Sequence, residues 1–240
     1  MKLIADLHTH TIASTHAYST ITENCKWAKI NGIELVAMTD HTEKMPDSPH
    51  YWHFENLRIL PRKIDDIIVL KGAETNIIDF DGNIDLPESS LENLEWVIAS
   101  MHNEVLKQGT VEEITETYLK AMKNPHIDMI GHPTTAYFQC DFERLVKGAV
   151  ENNKILEINE SSVNYKKGSR ENSYELLKIC KKYNALVAVN TDSHFCQNVG
   201  IAPTAMKILE ECEFPERLVI NSSMERLSDW IYNKRNIKLL

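Results

Sequence analysis

The chain has 240 residues, 42% of them hydrophobic and 25% charged, enough apolar material for one large core and too much for a disordered chain. A formal net charge of −9 excludes a protein that holds nucleic acid through its general surface, while leaving room for a locally positive pocket. No apolar run approaches the ~20 residues that span a bilayer, and Met1–Asp6 turns polar too soon for a signal peptide.

Leu3-Ile4-Ala5 runs into Asp6-Leu7-His8, and Glu23–Ile30 then carries amphipathic helical spacing stopped by Asn31-Gly32. Ile33–Met38 reads as a buried strand leading into Thr39-Asp40-His41, and Ile67–Leu70 leads to Gly72-Ala73-Glu74. Asp79-Phe80-Asp81-Gly82 has the chemistry of a hairpin turn. Val97–Met101 leads to His102, Ile127–Ile130 to Gly131-His132-Pro133, and Ile155–Ile158 to Asn159-Glu160. Leu186–Val189 leads to Asn190-Thr191-Asp192-Ser193-His194. Helical patterns fill the spaces at Thr110–Met122, Asp141–Asn152, Glu171–Lys182 and Pro203–Cys212; an Arg217–Ile220 run and a Ser223–Lys234 helix follow.

Strands alternating with helices predict an α/β fold with a parallel sheet, and the count of about seven strands approaches a closed barrel. No low-complexity linker or composition break divides the chain, so residues 1–240 read as one domain. In a barrel the loops after the strands share one face, where such proteins keep their chemistry. His8, His10, His41, Glu74, His102, His132, Asp192 and His194 all fall at those strand ends, with His16 just beyond the first. Residues i and i+2 of a strand face the same way, so His8 and His10 predict a pair of ligands pointing into the mouth. Imidazoles suit borderline divalent ions, and carboxylates can bridge two of them. One HxH is a weak signal; HxH with six further strand-end ligand types is a strong one.

The stretches DLHTH (6–10), STHAYS (14–19), TDH (39–41), PHYWHF (49–54) and GAE (72–74), with His102, GHP (131–133), LEINESS (156–162), KGSREN (167–172) and TDSH (191–194), carry a resemblance to a known family. They resemble the PHP (polymerase and histidinol phosphatase) family, specifically its stand-alone YcdX-type phosphatases, and they run through most of the chain in order. The resemblance implies a distorted (β/α)7 TIM-like barrel holding three divalent metals, zinc foremost, with manganese and iron also suited. It implies a first metal on His8, His10, Glu74 and Asp192. A second would be bridged by Glu74 and completed by His102 and His132, and a third held by His16, His41 and His194. Asn103, Thr134 and Thr135 lie beside ligands where the family often differs, which bears on the substrate pocket rather than the metals.

Three dications against two ligand carboxylates leave a charge of roughly +4, or about +3 with a bound hydroxide. That excess suits a phosphate dianion and its transition state. The expected reaction is hydrolysis of a small phosphomonoester by a metal-bridging hydroxide, with Glu74 and Asp192 at its centre and no protein nucleophile. The rival readings are a PHP-type nuclease or nucleotide phosphodiesterase, an amidohydrolase-like C–N hydrolase and a non-catalytic metal-binding protein. Against the amidohydrolase reading, this chain offers Glu74 where such enzymes commonly place a bridging Lys.

Other residues carry weaker signals. Strand periodicity points Asp6 with His8 and His10, so it could support a ligand's free ring nitrogen; Asp40 beside His41 is a candidate for the same role. His53 is a candidate proton donor to the leaving group, or a packing residue beside Trp52. Arg58, Arg62, Lys166, Lys167 and Arg170 are candidates to clamp the phosphate. His126 precedes a strand and reads as a non-ligand, while Trp27, Trp96 and Trp230 read as packing residues. Five scattered cysteines with no CxxC pair predict reduced thiols in a cytoplasm. Neither a membrane nor a stable nucleic-acid partner is expected, and a homo-oligomer is compatible with the residues.

Overall fold

The apolar runs are too short for helices and are bounded by turn residues, and all but the Arg217–Ile220 run become strands. The computed structural model describes residues 1–239. The strands are β1 (Ala5–Thr9), β2 (Leu35–Met38), β3 (Lys63–Ile64), β4 (Ile67–Asn76), β5 (Trp96–Ser100), β6 (Met129–Ile130), β7 (Ile155–Asn159) and β8 (Val187–Asn190). Seven of them pair in parallel in the order β1-β2-β4-β5-β6-β7-β8, and the short β3 lies antiparallel on the start of β4. The Asp79–Gly82 turn is present, closed by a single antiparallel bridge between Ile77 and Ile84.

The two outer strands of that order, β1 and β8, meet only near their ends. There Asp192 N donates to His8 O at 3.0 Å and His10 N to Ser193 O at 2.9 Å. Lower down, Asn221 fills the gap. Its side-chain Nδ2 donates to Ala5 O (2.9 Å) and Val189 O (2.6 Å), and its Oδ1 accepts from Val189 N (3.1 Å). The Arg217–Ile220 run leads into this wedge through short 3₁₀ turns and one parallel bridge, Val187 to Val219. One amide side chain thus satisfies backbone groups that an eighth parallel strand would have paired. The result is a single-domain, distorted (β/α)7 TIM-like barrel.

Helices begin where the sequence offers caps. Thr20 with Glu23 and Thr110 with Glu113 form capping boxes on Ile21–Ile30 and Val111–Ala121, and Asp141 caps Phe142–Glu151. An outer apolar layer between strands and helices includes Val36, Val69, Val97 and Leu156 against Ile114, Leu145 and Leu176. A separate inner cluster includes Leu35, Leu70, Trp96, Ile98 and Ile155, plugged by Leu227 and Ile231 of the helix Met224–Arg235. Emptying such a plug position (Ile231→Ala) costs about 2–5 kcal/mol. Lys234 and Arg235 anchor the helix on Asp128, at 3.1 and 2.5 Å, just before β6.

Inward positions change character along the strands. On β4, Ile68 and Leu70 in the inner cluster give way to Glu74 and Asn76; on β7, Ile155 gives way to Glu157 and Asn159. With a side-chain period of two, each pair of sets lies on one face. The polar mouth therefore sits on a dry apolar floor, where electrostatic interactions are stronger than in water.

Candidate metal centre

Glu74, fully buried on β4, stands at the middle of the mouth. Its Oε2 lies 2.9 Å from His41 Nδ1, 3.2 Å from His8 Nε2 and 3.5 Å from His10 Nε2. Its Oε1 lies 3.0 Å from His132 Nε2 and 3.3 Å from His102 Nε2. Asp192 Oδ1 is 3.0 Å from His10 Nε2, 3.6 Å from His8 Nε2 and 3.7 Å from His194 Nδ1. His16 completes the group at the rim, its ring centroid 4.2 Å from that of His194 and 5.4 Å from that of His41. All nine residues named as ligands from the sequence are thus brought to one mouth.

His132 Nε2 and Glu74 Oε1 are within hydrogen-bond geometry at 3.0 Å, but most of the other close approaches are not hydrogen bonds. His8 Nε2, His10 Nδ1 and Nε2, His41 Nδ1, Glu74 Oε2, Asp192 Oδ1 and His194 Nε2 are buried without a hydrogen-bond partner. An orphaned buried polar atom costs about 1–3 kcal/mol, and so many converging on one point is the arrangement a cation would satisfy. Sets with ligand atoms all within 4.8 Å of one another are His8–His10–Glu74, His41–Glu74–His102, His10–His41–His194 and His16–His41–Asp47. Imidazole and carboxylate donors fit zinc, manganese or iron.

Several supports were not legible from the motifs alone. Glu157 Oε1 is 2.8 Å from His8 Nδ1, Asn76 Oδ1 is 2.7 Å from His102 Nδ1, and Asp47 Oδ2 is 2.5 Å from His16 Nδ1. Period-two reading of Ile155–Asn159 would have placed Glu157 on the inner face; Asp47, in a loop, carries no such signal. His132 (φ 29°) and Asp192 (φ 54°) sit in the left-handed region, a strain of about 1–3 kcal/mol each that the surroundings must hold.

Asp6 and Asp40 correct the sequence reading. β1 is irregular between Asp6 and Thr9, so the two-residue phase does not carry through. The Asp6 carboxylate accepts from Thr191 N and Oγ1 and from Gly200 N rather than from a ligand imidazole, tying β1 to the loop that carries Asp192. Asp40 accepts from Thr11 N and Oγ1 (both 2.7 Å) and Ser14 Oγ (2.8 Å), and Ser14 Oγ in turn accepts from His41 N. Asp40 therefore braces the backbone of two ligand loops.

The same burial sets protonation. Burial, aided by repulsion from His41 and His194, takes His10 down to about 3, and burial takes His102 to about 4 despite Glu74. Burial would raise Glu74, but His8, His102 and His41 hold it well below the usual carboxylate range; His8 and His10 do the same for Asp192. Neutral imidazoles beside ionised carboxylates are the forms that bind metal. His8 and His41 go the other way. Burial lowers them, but Glu157 and Glu74 around His8, and Glu74 beside His41, outweigh it; a cation at the same atoms would oppose that pull.

A cavity of about 870 Å³ opens on the cluster, lined by His16, His41, His102, His132, Asp192 and His194 on one side. Lys166, Lys167, Tyr137, Asn103, Glu104 and Thr135 are among the residues lining the rest. The other predicted substrate contacts fall elsewhere. Arg62 forks onto Glu95 at 2.5 and 2.8 Å, below the start of β5, at the opposite end of the barrel. Arg58 and His53 line a separate surface groove, where His53 Nε2 is 3.3 Å from Asp40 Oδ2. Arg170 is exposed on the first turn of the helix Ser169–Tyr183 and does not line the cavity. His126 sits beside Glu88 (3.7 Å), away from the cluster.

A seven-stranded TIM-like barrel with a histidine–carboxylate cluster at its C-terminal mouth defines a class of metal-site barrels. Within that class the chain belongs to the PHP domain family, whose sequence pattern it matches over residues 6–192. It is 43% identical over 235 residues to a protein of Acetivibrio thermocellus named a probable phosphatase, covering 98% of both chains. It is 41% identical over 239 residues to a probable phosphatase of Clostridium novyi, covering 99% of this chain and 98% of that one. Its fold is similar to that of the histidinol phosphate phosphatase of Lactococcus lactis solved with zinc, L-histidinol and phosphate, with TM-score 0.66 and 17% identity over 90% of this chain and 95% of that one. A dihydroorotase also shares the fold, with TM-score 0.53 and 13% identity over 96% of this chain and 71% of that one. At these identities the structural likenesses concern the fold alone. No helix among the described residues is long and apolar enough to cross a membrane.

Proposed function

We propose that the chain is a metal-dependent phosphatase that hydrolyses a small phosphomonoester at a trinuclear centre. His8, His10, Glu74 and Asp192 would hold the first ion, Glu74 with His102 and His132 the second, and His16, His41 and His194 the third. Zinc is the expected ion, with manganese and iron also suited to the donors. The observation that carries this reading is Glu74, whose two oxygens face separate sets of imidazole nitrogens, with Oε2 and several of those nitrogens left unpartnered. Its full-length relatives named probable phosphatases support the reaction class.

Bound dications would polarise the phosphoryl oxygens and supply an activated water as nucleophile. The protein's part is to hold and orient. Glu74 and Asp192 keep their charge although buried and would so hold the ions; three dications would outweigh these two ligand carboxylates and leave a positive mouth for a phosphate dianion. Asp47 fixes the ring of His16 at the open rim. Lys167 and Lys166 both line the cavity wall, where either could meet phosphate oxygens. The apolar floor beneath closes the cluster from below.

The reading is tested by a phosphate-release screen over sugar phosphates, nucleotides and amino-alcohol phosphates, with metal content measured on the same protein. Release from at least one class, lost on chelation and restored by zinc or manganese, is the expected result. No release from any class with three ions bound contradicts it.

A further inference from the structure

Glu157 lies fully buried on β7 behind the cluster, and four donors converge on its carboxylate. Oε1 is 2.8 Å from His8 Nδ1 and 2.9 Å from Asn190 Nδ2; Oε2 is 2.8 Å from His132 N and 3.1 Å from Asn159 Nδ2. The orientation of both amides is fixed independently. Asn190 Oδ1 accepts from Leu7 N at 2.9 Å, and Asn159 Oδ1 accepts from Ser162 N at 2.8 Å, so each must turn its NH2 toward Glu157. Two amide groups and one backbone N–H can only donate. Glu157 is then an acceptor throughout, and the fourth contact requires His8 Nδ1 to carry its hydrogen. That leaves the lone pair on His8 Nε2, the atom aimed at Glu74 and Asp192.

The same carboxylate reaches further. Through the His132 N–H it holds a residue whose φ is 29°. Through Asn159, whose Nδ2 is also 3.3 Å from Asp192 Oδ2, it touches the Asp192 carboxylate. We propose that Glu157 is the positioning residue of the centre: it sets the His8 tautomer and locks His8, His132 and Asp192 into one unit, so the two deeper ions are held jointly. The outer set of His16, His41 and His194 is not among its hydrogen-bond partners. This inference rests on the metal centre proposed above.

Glu157→Gln keeps the size of the side chain but turns an N–H2 against donors, so either His8 loses its partner or His132 N–H does. Partners behind ligands are typically worth about 10–100-fold in metal affinity. In chelator competition followed by elemental analysis, the variant should lose zinc at chelator concentrations about 10–100-fold lower than the wild type does, while retaining the outer ion. Zinc affinity equal to wild type for all ions overturns the proposal. A second measurement does not depend on the variant folding. In the zinc-loaded wild type with ¹⁵N-labelled histidine, His8 should show Nδ1 bearing a proton and Nε2 bound to metal; the reverse assignment overturns the proposal. A wild type that takes up no zinc overturns the metal centre itself, whereas a loaded wild type beside a Glu157→Gln variant of equal affinity overturns only the role given to Glu157.

Discussion

Asn76 Oδ1 lies 2.7 Å from His102 Nδ1, and the same amide donates through Nδ2 to Asp85 Oδ2 at 2.7 Å. Asp85 can only accept, so the amide orientation is set and its oxygen faces His102. His102 must then donate from Nδ1 and offer Nε2, 3.3 Å from Glu74 Oε1, as the ligand atom. Asn76→Ala should weaken binding of the ion shared by His102 and His132 by about 10–100-fold, read by elemental analysis across a chelator series. Unchanged metal retention would remove Asn76 from the account.

The metal-free protein should be acid-sensitive in a window to which His102 contributes alongside His10. The pKa of His102 in the folded chain is about 4, held down by burial, against an unfolded value near 6.5. On unfolding it takes up a proton, so its contribution to stability is full above about pH 6.5 and lost as pH falls toward 4. His8 and His41 shift oppositely, so the comparison must isolate one residue. Between pH 7 and 5, chelator-treated wild type should lose roughly 4–8 °C more in Tm than His102→Gln does. Parallel pH profiles would contradict the burial argument.

Gly131 precedes His132 because nothing larger fits. A Cβ there would stand 2.1 Å from Ser100 Oγ and 2.9 Å from Ile98 Cγ2. Gly131→Ala should destabilise the fold by about 1–3 kcal/mol through overpacking and displace His132, lowering zinc content. Denaturant melts with metal analysis check both; a variant of wild-type stability and loading would contradict the packing argument.

Two basic residues that look alike in the sequence should behave differently. Lys167 lines the cavity over the cluster, whereas Arg62 is paired with Glu95 at the far end of the barrel. Lys167→Ala should lower kcat/KM about 10–100-fold, the worth of a charge-assisted hydrogen bond, mainly through KM. Arg62→Ala should leave kcat/KM within about twofold, since nothing in its surroundings touches the cavity. Kinetics on any accepted phosphate ester decide the pair.

The barrel was legible because strand and helix signals alternate and because a buried parallel strand reads as a plain apolar run. Leu35–Met38 and Ile155–Asn159 announce themselves this way, and their polar successors announce the mouth. The seam was not legible. Asn221 replaces strand pairing with side-chain hydrogen bonds, and an Asn after an apolar run looks like any turn. Asp6 departs from the direction that strand period gives it because the irregularity in β1 shifts the phase. Arg62 and Arg58 lie away from the cavity for another reason: proximity to a strand in sequence does not say which end of the barrel, or which groove, a loop residue reaches. Glu157 stands in the LEINESS stretch (156–162), and its inward direction follows from the strand period; its four partners do not.

The central claim is that Glu74 joins two ions of a three-ion centre that hydrolyses phosphate esters. The most direct measurement is the metal-to-protein ratio of purified wild type and Glu74→Ala, by elemental analysis, with phosphate release assayed on the same samples. The account predicts three ions and turnover in the wild type, and in the variant the loss of at least one ion with nearly all turnover. A variant that keeps full metal content and full activity would contradict it.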